Sequence, residues 1–337
     1  MACSDNSLTV AVTGPTGTFG FALMALLQAD ERVGRIVGIA RRPFDPAAHG
    51  WTKLEYRRGD VRDPAALAET FAGADVVVHL AFLITGSADR RAIRAINVDG
   101  TLNTFSAAAA AGARRFVHAS SVAAYGFASD SPAAMTEQWP ARPAAHLFYA
   151  QEKAEIEQLL QAAAAEHPST DLYVLRPPIV LGPNTVGAKS LLPGAIEPFA
   201  KRLASLALRL PFPIPALVAP LPLQFVHEQD VGDALRLCVV GAGPPGTYNI
   251  AGEGVLTAID VARELGFLPL SVPRGPVQAA ARLVAGLPFA PPQVGWAEAI
   301  SQPAIMDAGK AQRELGWSPR WSGLEALRDT LRAVRES

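Results

Sequence analysis

Cysteine is nearly missing: Cys3 and Cys238 are the only two in 337 residues. A disulfide framework is excluded, and a reducing cytoplasmic setting is expected. Neither sign of charge is in excess, with 30 Lys and Arg against 31 Asp and Glu. A nucleic-acid partner calls for a basic surplus or block, and a polybasic membrane anchor needs the same, so neither is expected. The six histidines (His49, His79, His118, His146, His167, His227) lack metal-ligand spacing, and no metal site is expected. The start, Met1 to Ser7, has neither the basic residues nor the apolar run of a secretory signal. The greasiest stretch, Leu203 to Val226, carries Arg209 and the prolines Pro211, Pro213, Pro215, Pro220 and Pro222. Proline removes backbone donors and blocks a continuous helix, so no membrane span is expected there. The stretch reads as a buried proline-rich connection, with a greasy loop over a ligand or against lipid as the alternative.

What is plentiful is apolar side chain, half of all residues. That is core material for one large or two modest domains and rules out disorder as the main state. Through the first half, strand-like and helix-like runs alternate. Leu8–Val12, Arg35–Ile39, Lys53–Arg57, Asp75–Leu80, Arg115–Ala119 and Leu172–Arg176 read as strands. Phe19–Gln28, Pro64–Phe71 with Asp63 as N-cap, Thr101–Ala111 and Tyr149–Ala165 read as helices. Strand four, Asp75-Val76-Val77-Val78-His79-Leu80, has no polar alternation, as expected of a strand covered by helices on both faces. Repeated βα units predict an α/β fold with a doubly wound, Rossmann-type parallel sheet over residues 1–176. Beyond 176 prolines cluster, which suits a smaller substrate lobe in 177–223 and 251–337. Gln224–Asp230 and Gly246–Ile250 read as short strands returning to the main sheet.

The turn Thr13-Gly14-Pro15-Thr16-Gly17-Thr18-Phe19-Gly20 follows the first strand and opens the first helix. Its glycines suit a tight turn, a close backbone approach to a pyrophosphate and close helix–strand packing, with the helix N-terminus facing the phosphates. Gly14, Thr16, Gly17, Thr18 and Phe19 are the candidate phosphate-binding residues. An NAD site carries an acid about 20 residues past this turn. Here Ile39 is followed by Ala40, Arg41 and Arg42. Two guanidiniums at a strand end suit a 2′-phosphate, so NADP is favoured over NAD; the alternative is ordinary solvated charge.

Tyr149 and Lys153 stand four apart at the start of a helix, on one face. The ammonium is expected to lower the phenol pKa and fit Tyr149 for acid–base work. Ser121 follows strand five, at the carboxyl edge where open α/β sheets bind ligands. A chance Tyr-x-x-x-Lys on an amphipathic helix is the alternative; the glycine turn and Ser121, in the right order, argue against it.

In this order the residues resemble the short-chain dehydrogenase/reductase superfamily, in its extended branch, the NAD-dependent epimerase/dehydratase family. The resemblance is carried by Thr13 to Gly20, Gly59-Asp60-Val61-Arg62-Asp63, His79-Leu80-Ala81 and Asn97-Val98-Asp99-Gly100-Thr101. It continues through Ser120 to Gly126, Tyr149-x-x-x-Lys153, Arg176 to Pro183, Phe225 to Val231 and Lys310 to Pro319. It implies that Ser121, Tyr149 and Lys153 form the catalytic group, with Lys153 also on the nicotinamide ribose. It implies that Asp60 and Val61 contact adenine, that Leu80, Ala81 and Phe82 line the adenosine and ribose path, and that Asn97 lies behind the cofactor. Pro178 and Ile179 would border the nicotinamide, and a homodimer is implied. Many nucleotide-sugar members have Asn where this chain has Ile179. With Phe82-Leu83-Ile84 this tilts the pocket toward an apolar, uncharged small-molecule substrate, while Asn184 keeps a sugar nucleotide in play. Thr85 and Ser87 are further polar candidates, Tyr125 is a substrate contact or a packing residue, and His79 and His227 read as structural.

Three functions compete. The first is an NAD(P)-dependent reductase or dehydrogenase acting on a carbonyl or alcohol. The second is a nucleotide-sugar epimerase or dehydratase with tightly bound NAD. The third is a non-catalytic dinucleotide-binding protein on the same fold.

Overall fold

A computed structural model describes residues 7–84, 89–127, 130–143, 147–185, 213–276 and 302–336. The first half runs β1 (Leu8–Thr13), α1 (Thr18–Ala29), β2 (Val33–Ala40), β3 (Leu54–Arg58), α2 (Pro64–Phe71), β4 (Val76–His79), α3 (Arg90–Arg94), α4 (Gly100–Ala110), β5 (Arg115–Ala119), α5 (Phe148–Glu166) and β6 (Asp171–Arg176). The second runs β7 (Ile179–Leu181), β8 (Ile214–Val218), β9 (Pro222–His227), α6 (Glu228–Val240), β10 (Gly246–Asn249), β11 (Val255–Thr257), α7 (Ala258–Glu264), β12 (Phe267–Ser271), α8 (Gly309–Leu315) and α9 (Gly323–Glu336).

Seven strands form one parallel sheet in the order β10-β6-β5-β4-β1-β2-β3. The chain leaves β1 for β2 on one side and returns to β4 on the other. The crevice at the carboxyl ends of β1 and β4 is thus the switch point where such sheets take ligands. All four residues of β4 are buried, as a run of valines between two helical layers must be.

The two layers have separate cores. On one face, Leu23 and Leu27 of α1 pack with Leu235 and Cys238 of α6 and with Trp317. The helices cross so closely that a Cβ on Gly232 would come within 2.9 Å of the Ala22 Cβ. On the other face, Leu67 and Phe71 of α2, Phe105 of α4 and Ile156 and Leu160 of α5 pack together. Local signals set the helix ends. The Asp63 carboxylate accepts from the Ala65 and Ala66 amides ahead of Pro64, and α7 has a full Thr257–Asp260 capping box.

Two features of the later half differ from the sequence expectation. The run Gln224–Asp230 is not one strand: β9 stops at His227 and α6 starts at Glu228. The His227 imidazole caps that helix by accepting from the Gln229 amide, so the β-favouring pattern ends at a helix cap. Nor does β9 join the central sheet. It pairs with β7 and β11 in a three-stranded sheet, whereas Gly246–Asn249 pairs in parallel with β6 at the central sheet's edge. Helix α6 returns to pack on α1, so the chain passes back and forth between the two halves. Of the greasy stretch, residues 203–212 lie outside the described residues, as do Thr85 and Ser87; 214–218 and 222–226 are strand. No helix of the described residues is long and apolar enough to cross a membrane.

Candidate active site

The ends of β1 and β4 are stitched together by one threonine. The Thr13 hydroxyl lies 2.8 Å from His79 Nδ1 and accepts from the Leu80 and Ala81 amides. Gly14 follows at φ +70°, and a Cβ there would meet the Ala81 nitrogen at 2.9 Å. A Cβ on Gly20 would collide with the Pro15 carbonyl. Gly17 is the N-cap of α1 and offers no side-chain cap, so the first-turn amides, Thr18 and Phe19 among them, face the open end of the helix. Thr16 and Thr18 are half-buried and Gly17 is exposed. A concave backbone, bare amides and no carboxylate fit a dinucleotide pyrophosphate.

Arg41 and Arg42 are exposed just beyond β2. Arg58, which sequence reasoning missed, joins them: it faces Ala40 in the β2–β3 register, and its Nε donates to the Arg41 carbonyl at 3.1 Å. The nearest acid, Asp60, holds Arg62 at 2.7 Å. That guanidinium, helped by the charge of Arg41, keeps the Asp60 carboxyl below its ordinary range. Val61 is buried beneath Gly100, whose Cβ would come within 2.5 Å of Val61 Cγ2. Leu80 and Ala81, just after β4, are half-buried.

Tyr149 and Lys153 are both buried on the first turns of α5. The Tyr149 phenol is hydrogen-bonded to Ser121. Ser121 itself caps a short 3-10 turn, Val122–Tyr125, by accepting from the Ala123 amide. Around them lie Ala123, Leu147 and Ala150, with Phe82, Ile84 and Phe127 packed against the cluster. The expectation that Lys153 lowers the phenol pKa is overturned. Burial raises it, and the Ser121 hydrogen bond only partly opposes that. The ammonium is turned elsewhere: it donates to the Ala119 carbonyl at 2.7 Å and sits 3.8 Å from the Phe82 ring centre, against 6.0 Å for Tyr149.

Asn97 is buried in a wide helical turn, Ala95–Asp99, between α3 and α4. Its carboxamide accepts from the Leu83 amide at 2.8 Å and donates to the Leu83 carbonyl at 3.0 Å and Glu152 Oε2 at 2.8 Å. It thereby pins the segment after β4 to α5. Below the pair runs a buried network. Glu157 accepts from Ser120 and from Arg176, and the Arg176 guanidinium lies 4.3 Å from the Tyr125 ring centre. Glu157 follows Lys153 by four residues, the signal that would have found it. Tyr125 is buried, with its hydroxyl donating to Asn249 Oδ1 at 2.8 Å. His79 is satisfied by Thr13 and Thr101, and His227 lies between the Gln229 amide, Asp329 and the Trp321 ring.

Pro178 is buried, whereas Ile179 at the start of β7 is 38% exposed. After β7, the Asn184 carbonyl accepts from the Thr18 hydroxyl at 3.2 Å, and its side chain donates to Glu228 Oε1 at 2.7 Å. The phosphate turn and the lobe are thus tied through Asn184.

Among known proteins, an uncharacterized protein of Mycobacterium tuberculosis is 27% identical over 330 residues, covering 96% of this chain and 83% of its own length. Sterol demethylase protein B of Methylococcus capsulatus is 31% identical over 181 residues, 52% of each chain. The fold matches that of the dTDP-glucose 4,6-dehydratase of Streptomyces venezuelae, solved with NAD, at a TM-score of 0.70, 23% identity and 98% coverage of both chains. The family described as NAD dependent epimerase/dehydratase matches residues 10–251. With the glycine turn at the switch point and Tyr149, Lys153 and Ser121 gathered at the sheet's carboxyl edge, the chain belongs to the NAD-dependent epimerase/dehydratase family.

Proposed function

We propose that the protein is an NADP(H)-preferring oxidoreductase acting on a carbonyl or alcohol of a small, apolar, uncharged molecule. The observation that carries this is the Ser121–Tyr149 hydrogen bond inside an apolar cluster of Phe82, Ile84, Phe127 and Leu147. The nicotinamide, when bound, supplies or accepts the hydride. Ser121 would donate a hydrogen bond to the substrate oxygen and polarise it. Tyr149 would give its proton to that oxygen in reduction and take it back in oxidation. Burial raises the phenol pKa, so Tyr149 is held in the protonated form that donates. Lys153 would hold the nicotinamide ribose.

The apolar substrate is supported by Ile179, an exposed apolar side chain at the start of β7, and by the kinship to a protein named for sterol demethylation. NADP(H) is supported by Arg41, Arg42 and Arg58, three exposed guanidiniums at one strand edge with the nearest acid already paired. The test is NADPH consumption with a panel of ketones and aldehydes. Tyr149→Phe should lower turnover by at least about a hundredfold, the usual worth of a general acid. Unchanged turnover in that variant would sink the role of Tyr149.

A second reading on the same residues is a nucleotide-sugar epimerase or dehydratase with tightly held NAD. It is favoured by the fold shared with the S. venezuelae dehydratase. Mass analysis of cofactor released on denaturation separates the two: stoichiometric NAD surviving purification selects the second. The homodimer belongs to either reading and is tested by light scattering.

A further inference from the structure

Lys153 is 3% exposed, and a buried ammonium must recover the hydration it loses. Part of that recovery is the Ala119 carbonyl at 2.7 Å. Another part is an aromatic face, since the Phe82 ring centre lies 3.8 Å from Nζ, well inside the range of a cation–π contact. The same ring meets Tyr149 edge-on, with centroids 5.6 Å apart and planes at 86°. One side chain therefore touches both members of the pair, the ammonium over its ring and the phenol ring in a T-shaped contact.

The carboxylates nearest Lys153 on α5 are committed elsewhere. Glu152 accepts from Asn97, and Glu157 accepts from Ser120 and Arg176. From the neighbouring strands the titratable groups facing the ammonium are His79 of β4 and His118 of β5, both kept neutral by burial and by the ammonium itself. From α5 it is Tyr149. A π face differs from a carboxylate in one respect that matters here: it stabilises the ammonium without cancelling its charge. Phe82 is also held firmly. Its neighbour Ala81 donates to Thr13, and its neighbour Leu83 is clamped at both amide and carbonyl by Asn97.

We propose that Phe82 is a positioning residue for the Tyr149–Lys153 pair, its ring face seating the Lys153 ammonium while its T-shaped contact fixes the Tyr149 ring. The inference rests on the catalytic reading of that pair given above, yet it is tested without turnover. The chain has five lysines, so Cε-labelled lysine gives few NMR signals, and Lys153→Arg assigns the one of interest. The titration midpoint of Lys153 is then followed in the wild type, Phe82→Leu and Phe82→Tyr.

Loss of the π face disfavours the charged amine. Phe82→Leu should lower the midpoint by about half a unit to one unit, a three- to tenfold change in the protonation equilibrium. Phe82→Tyr, which keeps the face, should stay within about 0.3 unit of the wild type. On any accepted carbonyl substrate, Phe82→Leu should lower kcat about three- to tenfold with KM little changed, and Phe82→Tyr should restore it. An unchanged midpoint in Phe82→Leu, or the same fall in both variants, overturns the proposal. A shifted midpoint together with full activity in Tyr149→Phe keeps this inference and discards the catalytic reading.

Discussion

His118 lies flat against His79 across neighbouring strands, their ring centroids 5.6 Å apart and their planes at 18°. His79 spends both nitrogens on Thr13 and Thr101, while both nitrogens of His118 are buried without a hydrogen-bond partner among the described residues. Burial, helped by the Lys153 charge, pushes His79 down to about 3, and His118 is pushed well below its usual range. In the unfolded chain both bind protons from about pH 6.5 downward. Between that pH and the folded values the unfolded state holds more protons, so stability rises with pH across the window and is lost on acidification. Each histidine can contribute up to about 1.4 kcal/mol per pH unit. Urea unfolding at pH 7, 6 and 5 should show this slope, and His118→Phe, which preserves the flat stack, should reduce it. An identical slope in the variant would refute the assignment.

Gly14→Ala separates strain from cofactor binding. Both Gly14 and Gly73 sit in the left-handed region, at φ +70° and +73°, but only the Gly14 Cβ meets a neighbour, the Ala81 nitrogen at 2.9 Å. Each substitution should cost about 1–2 kcal/mol of stability for the dihedral alone. Only Gly14→Ala should also weaken dinucleotide binding, by about tenfold or more, because the phosphate turn must shift. Calorimetric titration of both variants is the check; equal affinities would count against a phosphate seat at this turn.

The three arginines at the edge of β2 and β3 give a cofactor ratio. Replacing Arg41, Arg42 or Arg58 by Ala should weaken NADPH binding by about tenfold, the worth of one charge-assisted hydrogen bond, and leave NADH nearly unaffected. Fluorescence titration with both cofactors reads the ratio. A parallel loss for both would mean the arginines serve the fold or the pyrophosphate instead.

Glu157 and Arg176 form an ion pair whose side chains are 3% and 6% exposed. Glu157→Gln removes the charge that compensates Arg176 and should cost about 3–5 kcal/mol, read by denaturant unfolding. A double variant, Glu157→Gln with Arg176→Met, should recover most of that loss, since no lone charge stays buried. If the double variant is no more stable than the single, the cost lies in the Ser120 contact rather than in the charge.

Much of this site was legible in the chain because its signals are local. The glycine turn, the Tyr149–Lys153 spacing and the Asp63–Pro64 helix start each need only a few consecutive residues, and the valines of β4 announce a strand covered on both faces. What was not legible depends on pairing between distant segments. Arg58 joins Arg41 only through the β2–β3 register, and His118 meets His79 only because β5 lies beside β4. The strand Pro222–His227 has an ordinary β pattern that says nothing about which sheet it enters. The Lys153 ammonium meets the Phe82 ring across seventy-one residues of chain, a contact that no local spacing announces.

The wide turn at Ala95–Asp99 sets a limit on how this chain can change. A helical turn with an extra residue shifts the phase of everything after it by about 100°. That offset lets Asn97 face Leu83 and Glu152 while Thr101, one turn later, faces His79. Deleting one residue from the turn would swing Asn97 off Leu83 and release the segment that carries Phe82. Length, more than composition, is what this stretch of chain must conserve.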